Sequence, residues 1–454
     1  MRSRAREAVA PAFLFLCLMA GGSAQGIWAN MVLQLLAITI LCWAAVSPGG
    51  MDLAPPSRQF FAIVIAALVL IVLQLVPLPA SVWPVLGGRR TIAASYEVLG
   101  MPTPPLPLSL APYDSLRALL AVLPPLAMIC AILRLRAYRA SWLALALLAG
   151  TFCGTLLGAL QVASGDPENS PWYLFEYSTR GVATGFFANA NHMATLLVIS
   201  LPFLAALIAA ERRSSVQRYS AFLAVAAGAS LVILVGIVLN RSLAGYLLSL
   251  PVVAASALIV MPLRSRLRRL AILVAGLCLV GALGALESSA IRPNGLSAEA
   301  KTSVESREEI LKTTLAATHD FLPLGSGVGT FRQVYHLYED HARVTTTYVI
   351  HAHNDYAELA LEMGFPGIVL LILFLAWWVG AVWRAWRSVE AGPYARAASI
   401  ASAAVLVHSL VDFPLRTAAI GVAFAACLAL LAERRPPIAS SKSDLRPTRH
   451  VVLR

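Results

Sequence analysis

The segment LVILVGIVLNRSLAGYLLSL, residues 231–250, decides the fold. An apolar run from Leu231 to Leu239 meets Asn240-Arg241-Ser242, and a second apolar run continues from Leu243 to Leu250. A soluble amphipathic helix needs a polar face, and neither run has one. Both suit a membrane span, with Arg241 either at a turn or inside the bilayer. A lone guanidinium near mid-bilayer costs on the order of 2.5–3.5 kcal/mol on insertion scales. At a turn it can snorkel to the headgroups. The alternative, which we favour, is an anion-binding arginine at the membrane rim, because the planar fork of Arg accepts phosphate oxygens in pairs.

Outward from this segment, runs long enough to cross a bilayer, roughly 17–25 residues, recur along the chain. They lie at 8–27, 29–46, 59–77, 115–133, 140–163, 189–210, 219–239, 242–261, 269–287, 364–383, 396–412 and 415–432. The expectation is an all-α fold, a polytopic membrane helix bundle of about twelve transmembrane helices, with a large outside loop between the ninth and tenth. Composition agrees: 59% of the 454 residues are hydrophobic, only 13% are charged, and mean hydropathy is +0.75. Soluble domains carry about 25% charged residues, so a soluble enzyme, a disordered chain and a disulfide scaffold are all excluded. The chain divides into N-terminal transmembrane helices (1–163), a second membrane unit (164–432) that includes the loop 288–363, and a short basic tail (433–454) expected to be disordered. Arg2, Arg4 and Arg6 before the first run imitate a signal peptide. No convincing small-x-small cleavage site precedes a soluble domain, and more spans follow, so the run is read as a retained helix.

The net charge of +12 would suggest nucleic acid on a soluble chain. Here its distribution matters more. With the N-terminus inside, 23 of the 35 basic residues but only six of the 23 acidic ones fall in inside gaps and termini, giving about +17 inside and −5 outside. By the positive-inside rule both termini are cytoplasmic, the partner of the surplus is the lipid bilayer, and nucleic acid drops out. All six cysteines lie within apolar runs, where they read as small core residues.

Three outside segments hold the remaining polar interest. Residues 78–114 are proline-rich and read as extended packing. Residues 164–188 carry Trp172, Tyr173, Phe175 and Tyr177, then Arg180; such aromatics form an interfacial belt or, alternatively, a sugar-stacking platform. In 288–363, Ser306-Arg307-Glu308-Glu309 has the form of a capping box and predicts a helix start, with Ile310, Leu311 and Leu315 on one face. The glycines of Leu324-Gly325-Ser326-Gly327-Val328-Gly329 read as a turn, since no preceding strand supports a nucleotide loop. A second helix follows, carrying Phe331, Val334, Tyr335 and Tyr338. Residues 344–350 are β-branched and read as extended. They lead to His351-Ala352-His353-Asn354-Asp355, with Asn354 or Asp355 as the cap of a helix on which Glu358 and Glu362 sit one turn apart. The HxHxD pattern admits a metal, but with no second ligand cluster the expectation is none. Gly364-Phe365-Pro366-Gly367 then bends the chain into the next span. Asp412 and Arg416 flank the last outside turn and can pair with each other.

In this order the motifs resemble the O-antigen ligase/polymerase superfamily. His353-Asn354, nine residues, Gly364, Gly367 and an apolar run look like its signature. Gly185 to Asn191 resembles its Gly-Phe-x-x-x-x-Asn segment, Asn240-Arg241-Ser242 its Ser-Arg-Gly element, and Arg307 through Pro323, Gly325, Gly327 and Gly329 its Arg-helix-Pro-x-x-Gly-x-Gly segment. Asn240 stands where many relatives have Ser, and Leu243 where many have Gly.

The resemblance implies a metal-independent glycosyltransferase of the bacterial inner membrane, without a cofactor. Such enzymes move a glycan from undecaprenyl pyrophosphate to an acceptor hydroxyl at the periplasmic face, so the large outside loop would be a periplasmic loop. In ligases, the reading preferred for this chain, the acceptor is lipid A–core. In O-antigen or exopolysaccharide polymerases it is another lipid-linked glycan. Carried over, His353 would be the base or acceptor-positioning group. Arg241 and Arg307, with Arg180 as a third, would hold the pyrophosphate, and His351, Asn354, Asn191 and Gly364 would support them. The number of spans also admits a lipid-linked sugar flippase or secondary transporter. Transporters, however, tend to show matched halves with polar residues near the midplane, and here those residues concentrate outside.

Overall fold

The computed structural model describes residues 2–48, 53–212, 214–261, 272–278, 281, 298–340, 342, 348–388 and 391–433. The tail beyond Glu433, residues 344–347 of the expected extended segment and most of the apolar run 269–287 lie outside the described residues. Helices dominate: α1 (Arg2–Glu7), α2 (Val9–Ala20), α3 (Ile27–Val46), α4 (Pro55–Leu73), α5 (Arg90–Val98), α6 (Pro112–Ala121), α7 (Leu123–Leu133), α8 (Ala140–Val162), α9 (Ala190–Glu211), α10 (Val216–Asn240), α11 (Leu243–Val260), α12 (Ala298–Phe321), α13 (Phe331–Tyr338), α14 (Asp355–Arg387), α15 (Pro393–His408) and α16 (Ala418–Ala432). Two-residue strands β1 (Pro77–Leu78) and β2 (Leu106–Pro107) pair antiparallel within the proline-rich segment.

Eight helices among the described residues are long and apolar enough to cross a membrane: α3, α4, α6 with α7, α8, α9, α10, α11 and α14. They coincide with eight of the twelve expected runs. Three others fall on shorter helices, because caps and turns consume the ends of the apolar run. Helix α2 has 12 residues, α15 has 16 and α16 has 15. At 1.5 Å per residue even 16 residues span only about 24 Å, against a hydrocarbon core of about 30 Å.

Helix α9 is the axis of the bundle. It packs against α8, α10, α11 and α15, and nearly every side chain from Ala190 to Leu207 is buried. Small residues allow the approach: a Cβ on Gly236 would sit 2.6 Å from Leu197, and one on Gly245 would sit 2.9 Å from Ala194. The outer helices show the opposite pattern. Leu231, Leu234 and Val238 of α10, and Val369, Ile372 and Leu373 of α14, are exposed. Rows of exposed aliphatic residues around a sealed small-residue core fit lipid, not water, as the solvent.

Two local expectations need correction. Ser306 does not cap a helix, since α12 begins at Ala298 and runs through it. The buried face of α12 is Ile310, Thr314, Ala317 and Phe321, while Leu315 is exposed. The proline-rich segment is more than extended packing: it includes α5 and buries Arg89 completely. Arg89 donates to the carbonyls of Gly87, Leu108 and Gly325 and lies between the rings of Trp83 and Phe321. Burial lowers its pKa to about 10, so it stays charged at neutral pH and pins this segment to the glycine turn.

Candidate functional site

The site begins with the glycine turn. Gly325, Gly327 and Gly329 all have positive φ, which glycine adopts without strain. The turn meets α14 where that helix breaks at Gly364 (φ 57°, ψ −150°). The break frees carbonyls of the preceding helical turn, and the loop supplies donors: Ser326 N to Leu361 O and Gly327 N to Glu362 O, both 2.9 Å. Gln74 of the α4 C-cap donates to the same Glu362 carbonyl at 3.0 Å and accepts from Val328 N. The Glu362 carboxylate accepts from Gly329 N and Phe331 N. The turn reading of the glycine string is thus the observed one, and its role is to join α12 and α13 to α14.

The start of α14 is fixed as tightly. Asn354 caps it, accepting from the amides of Tyr356 and Ala357, and its amide donates to Leu410 O at 3.0 Å. Asp355 N donates to Ser409 O. These contacts latch the His351–Asp355 segment to the connection that follows α15. His353 (φ 50°) adopts the left-handed conformation, which costs a non-glycine residue about 1–2 kcal/mol. It aims the imidazole at Asp412, with Nδ1 3.3 Å from Oδ1, off the line of a hydrogen bond and with no hydrogen-bond partner among the described residues.

Asp412, in the Ser409–Thr417 connection, is the centre on which separate motifs converge. Its side chain is fully buried. Arg307 of α12 reaches Oδ2 at 3.8 Å, Phe413 N donates to Oδ1 at 2.9 Å, and Asn191 from the first turn of α9 donates to Oδ2. Burial alone would raise this carboxyl's pKa. His353 and Arg307 outweigh it and hold Asp412 well below the usual carboxylate range. Asn191 also accepts from Ser242 Oγ at 2.7 Å, so the Asn240-Arg241-Ser242 turn is tied to the same centre. Asn240 is buried and donates to Ala183 O and Ala190 O, which fastens that turn to the entry of α9. Arg241 itself ends α10 in the left-handed conformation (φ 55°, ψ 18°). Its guanidinium is exposed, with no hydrogen-bond or ion-pair partner among the described residues.

A second network lies beside the first. Asp412 and Arg416 do not pair with each other; the Phe413-Pro414 turn sends them to opposite neighbours. Arg416 contacts Asp355 at 3.4 Å, Glu358 at 3.1 Å and Glu362 at 3.7 Å. Glu358 also accepts from Ala352 N and lies 2.9 Å from His351 Nδ1. Phe413 separates the two networks, its ring centroid 4.4 Å from that of His351, 4.9 Å from His353 and 5.2 Å from His192. His351 and His353 therefore address different carboxylates.

Of the expected site residues, His353, Arg307 and Asn191 meet at Asp412, and Arg241 joins them through Ser242. Asn354 and Gly364 shape the helix that carries His353, and His351 sits behind Phe413. Arg180 stands apart: it is exposed, lies over the Tyr173 ring at 5.4 Å and donates to Glu168 O. Asp412 and Arg416 are the residues sequence reasoning undervalued. The available signal was their isolation, as the only Asp, Glu, Lys or Arg residues between Ala397 and Ala432.

Residues 228–372 match a family model, that of the O-antigen ligase. The matched region includes Arg241, Arg307, His353 and Gly364, whereas Asn191, Asp412 and Arg416 lie outside it. None of the curated proteins compared with this chain matches it.

Proposed function

From the membership of residues 228–372 in the O-antigen ligase superfamily, we propose that this multi-pass membrane protein transfers a glycan from undecaprenyl pyrophosphate to an acceptor hydroxyl at the periplasmic face, with lipid A–core as the acceptor. The observation that carries the reading is the convergence of Asn191, Arg307 and His353 on the buried Asp412, with Ser242 tied in through Asn191. With Nδ1 directed at Asp412, His353 keeps Nε2 for substrate. In the proposed step Nε2 takes the proton of the acceptor hydroxyl. The acceptor oxygen bonds to the anomeric carbon of the donor sugar, and the bond from that carbon to the pyrophosphate oxygen breaks. The electron pair leaves on undecaprenyl pyrophosphate, where Arg241 and Arg307 stabilise the developing charge. Asp412 orients His353 and stabilises its protonated form, the role a buried carboxylate plays behind a general-base histidine.

Arginines take the electrostatic role that a metal would otherwise fill, and transfer is expected to survive chelation with EDTA. Arg180, distant in contacts from Asp412, is assigned at most to donor recognition at the rim. His353→Ala, assayed for glycan transfer in membranes at matched protein level, is expected to lose at least about 100-fold. Full transfer by a stably expressed variant would remove His353 from the chemistry. Deletion followed by lipopolysaccharide analysis separates the acceptors. Loss of all capping on lipid A–core marks a ligase, single-repeat capping a polymerase, and loss of only a secreted polymer an exopolysaccharide enzyme.

A further inference from the structure

Three non-glycine residues among those described have positive φ: Arg241, His353 and Arg136. Two belong to the site above. Strained backbone at a polar residue is a pointer to function, and Arg136 leads to the other end of the bundle. Helix α14 joins the two ends, with Asp355 at the His353 site and Arg387 at its far terminus, up to about 50 Å away at 1.5 Å per residue. There the N-termini of α4 and α15 and the C-termini of α7, α14 and α16 line a cavity of about 1020 Å³. Arg58, Arg136, Arg384 and Arg387 line it, and Glu433 is the one acidic side chain among its described lining residues.

Neighbouring arginines outside this lining spend their donors on carbonyls that end helices or loops: Arg134 on Ser47 O, and Arg396 on Ala385 O and Ser388 O. Arg58 and Arg136 have no hydrogen-bond or ion-pair partner among the described residues. Arg387 lies over the Trp383 ring at 4.2 Å, which orients its plane and leaves its edge donors available. Glu433 receives the Tyr138 hydroxyl. The helix ends facing the cavity do not settle its polarity, because starts and ends both contribute and their dipoles offset. The excess is carried by guanidinium groups whose fork geometry matches a phosphate. Trp383, 59% exposed, and the nearby Leu53 and Leu133 supply apolar surface beside the charged lining.

We propose that this cavity is a binding site for a phosphate-bearing anion, seated between Arg58, Arg136 and Arg387 and carried on a lipid headgroup. The site is separate from the His353 centre, and its test reads binding, not glycan transfer. Full-length protein would be placed in nanodiscs of phosphatidylcholine and titrated with fluorescent phosphatidylglycerol and, in a second arm, with inorganic phosphate. The parent is expected to bind the anionic lipid about ten- to thirty-fold more tightly than Arg136→Gln/Arg387→Gln, given the attraction of two basic side chains near a headgroup. Arg136→Lys/Arg387→Lys keeps the charge and is expected to retain most of the preference, which separates a lost binding site from a lost fold. Discrimination in the lipid arm alone assigns a headgroup; discrimination with inorganic phosphate alone assigns a soluble phosphate. The proposal is overturned if the Gln pair binds both probes as the parent does, or if the Lys pair loses preference as fully as the Gln pair.

Discussion

Asp412 holds no place in the ordered motif set, yet it is the residue on which the set depends. Its carboxylate is buried against His353, Arg307 and Asn191 and is stable there only as an anion with those partners. Asp412→Asn keeps the shape and removes the charge. It leaves Asn191 and Arg307 without their anion and His353 without the carboxylate proposed to orient it. Transfer is expected to fall by roughly 10²–10⁴-fold, the scale seen when the carboxylate behind a general-base histidine is neutralised. Transfer within threefold of the parent at equal protein level would exclude the orienting role. Arg241→Lys is the companion test on the donor side. Arg241 has no partner among the described residues to lose, so stability should be unchanged while turnover drops about 10–100-fold through loss of the fork. The individual groups were legible because a charged residue in an apolar chain is conspicuous. Their pairing was not: Asp412 and Arg416 are four residues apart, and only the direction of the Phe413-Pro414 turn sends one to His353 and the other to Glu358.

Element identity was easier to read than element boundaries. The helix start at Asn354-Asp355 and the bend at Gly364 lie where the sequence placed them, but the helical stretch beyond the bend runs on to Arg387, past the expected end of the span at 383. The capping box at Ser306 failed for a related reason. A Ser-x-x-Glu string marks a helix start only if nothing upstream is already helical, and α12 begins at Ala298. The bend at Gly364 has a physical requirement that sequence can only hint at. A Cβ there would lie 2.2 Å from Pro323 O and 2.7 Å from Gly325 N, at a φ that L-residues avoid. Gly364→Ala should therefore destabilise the protein by at least about 2 kcal/mol, from backbone strain and the displaced glycine turn. It should also lower transfer, because α12 with Arg307 and α14 with His353 are joined at this point. Thermal unfolding in detergent measures the first effect. A variant that melts with the parent would mean that the Pro323–Gly325 turn yields readily and does not fix the spacing of the two helices.

At the scale of the molecule, hydropathy identified the solvent correctly and the spans incompletely. Exposed aliphatic rows on α10 and α14 around the buried α9 are the arrangement that a mean hydropathy of +0.75 demands. The lengths of α2, α15 and α16 depend on where turns cut the apolar runs, which composition does not encode. Charge asymmetry makes a stronger claim, because it predicts sides: both termini in the cytoplasm and the His353 centre in the periplasm. On that assignment, and with the proposed function, the two arginine-rich places would have different partners: the cavity lined by Arg58, Arg136 and Arg387 would face the leaflet with the basic surplus, and Arg241 and Arg307 the pyrophosphate of a lipid-linked donor. A reporter active only outside the cytoplasm, such as alkaline phosphatase, tests the assignment directly. Fused after Asp340 it should be active, and fused after Glu433 inactive. The reverse pattern would put His353 on the cytoplasmic side, where nucleotide-sugar donors are available, and the lipid-pyrophosphate reading would lose its physical basis.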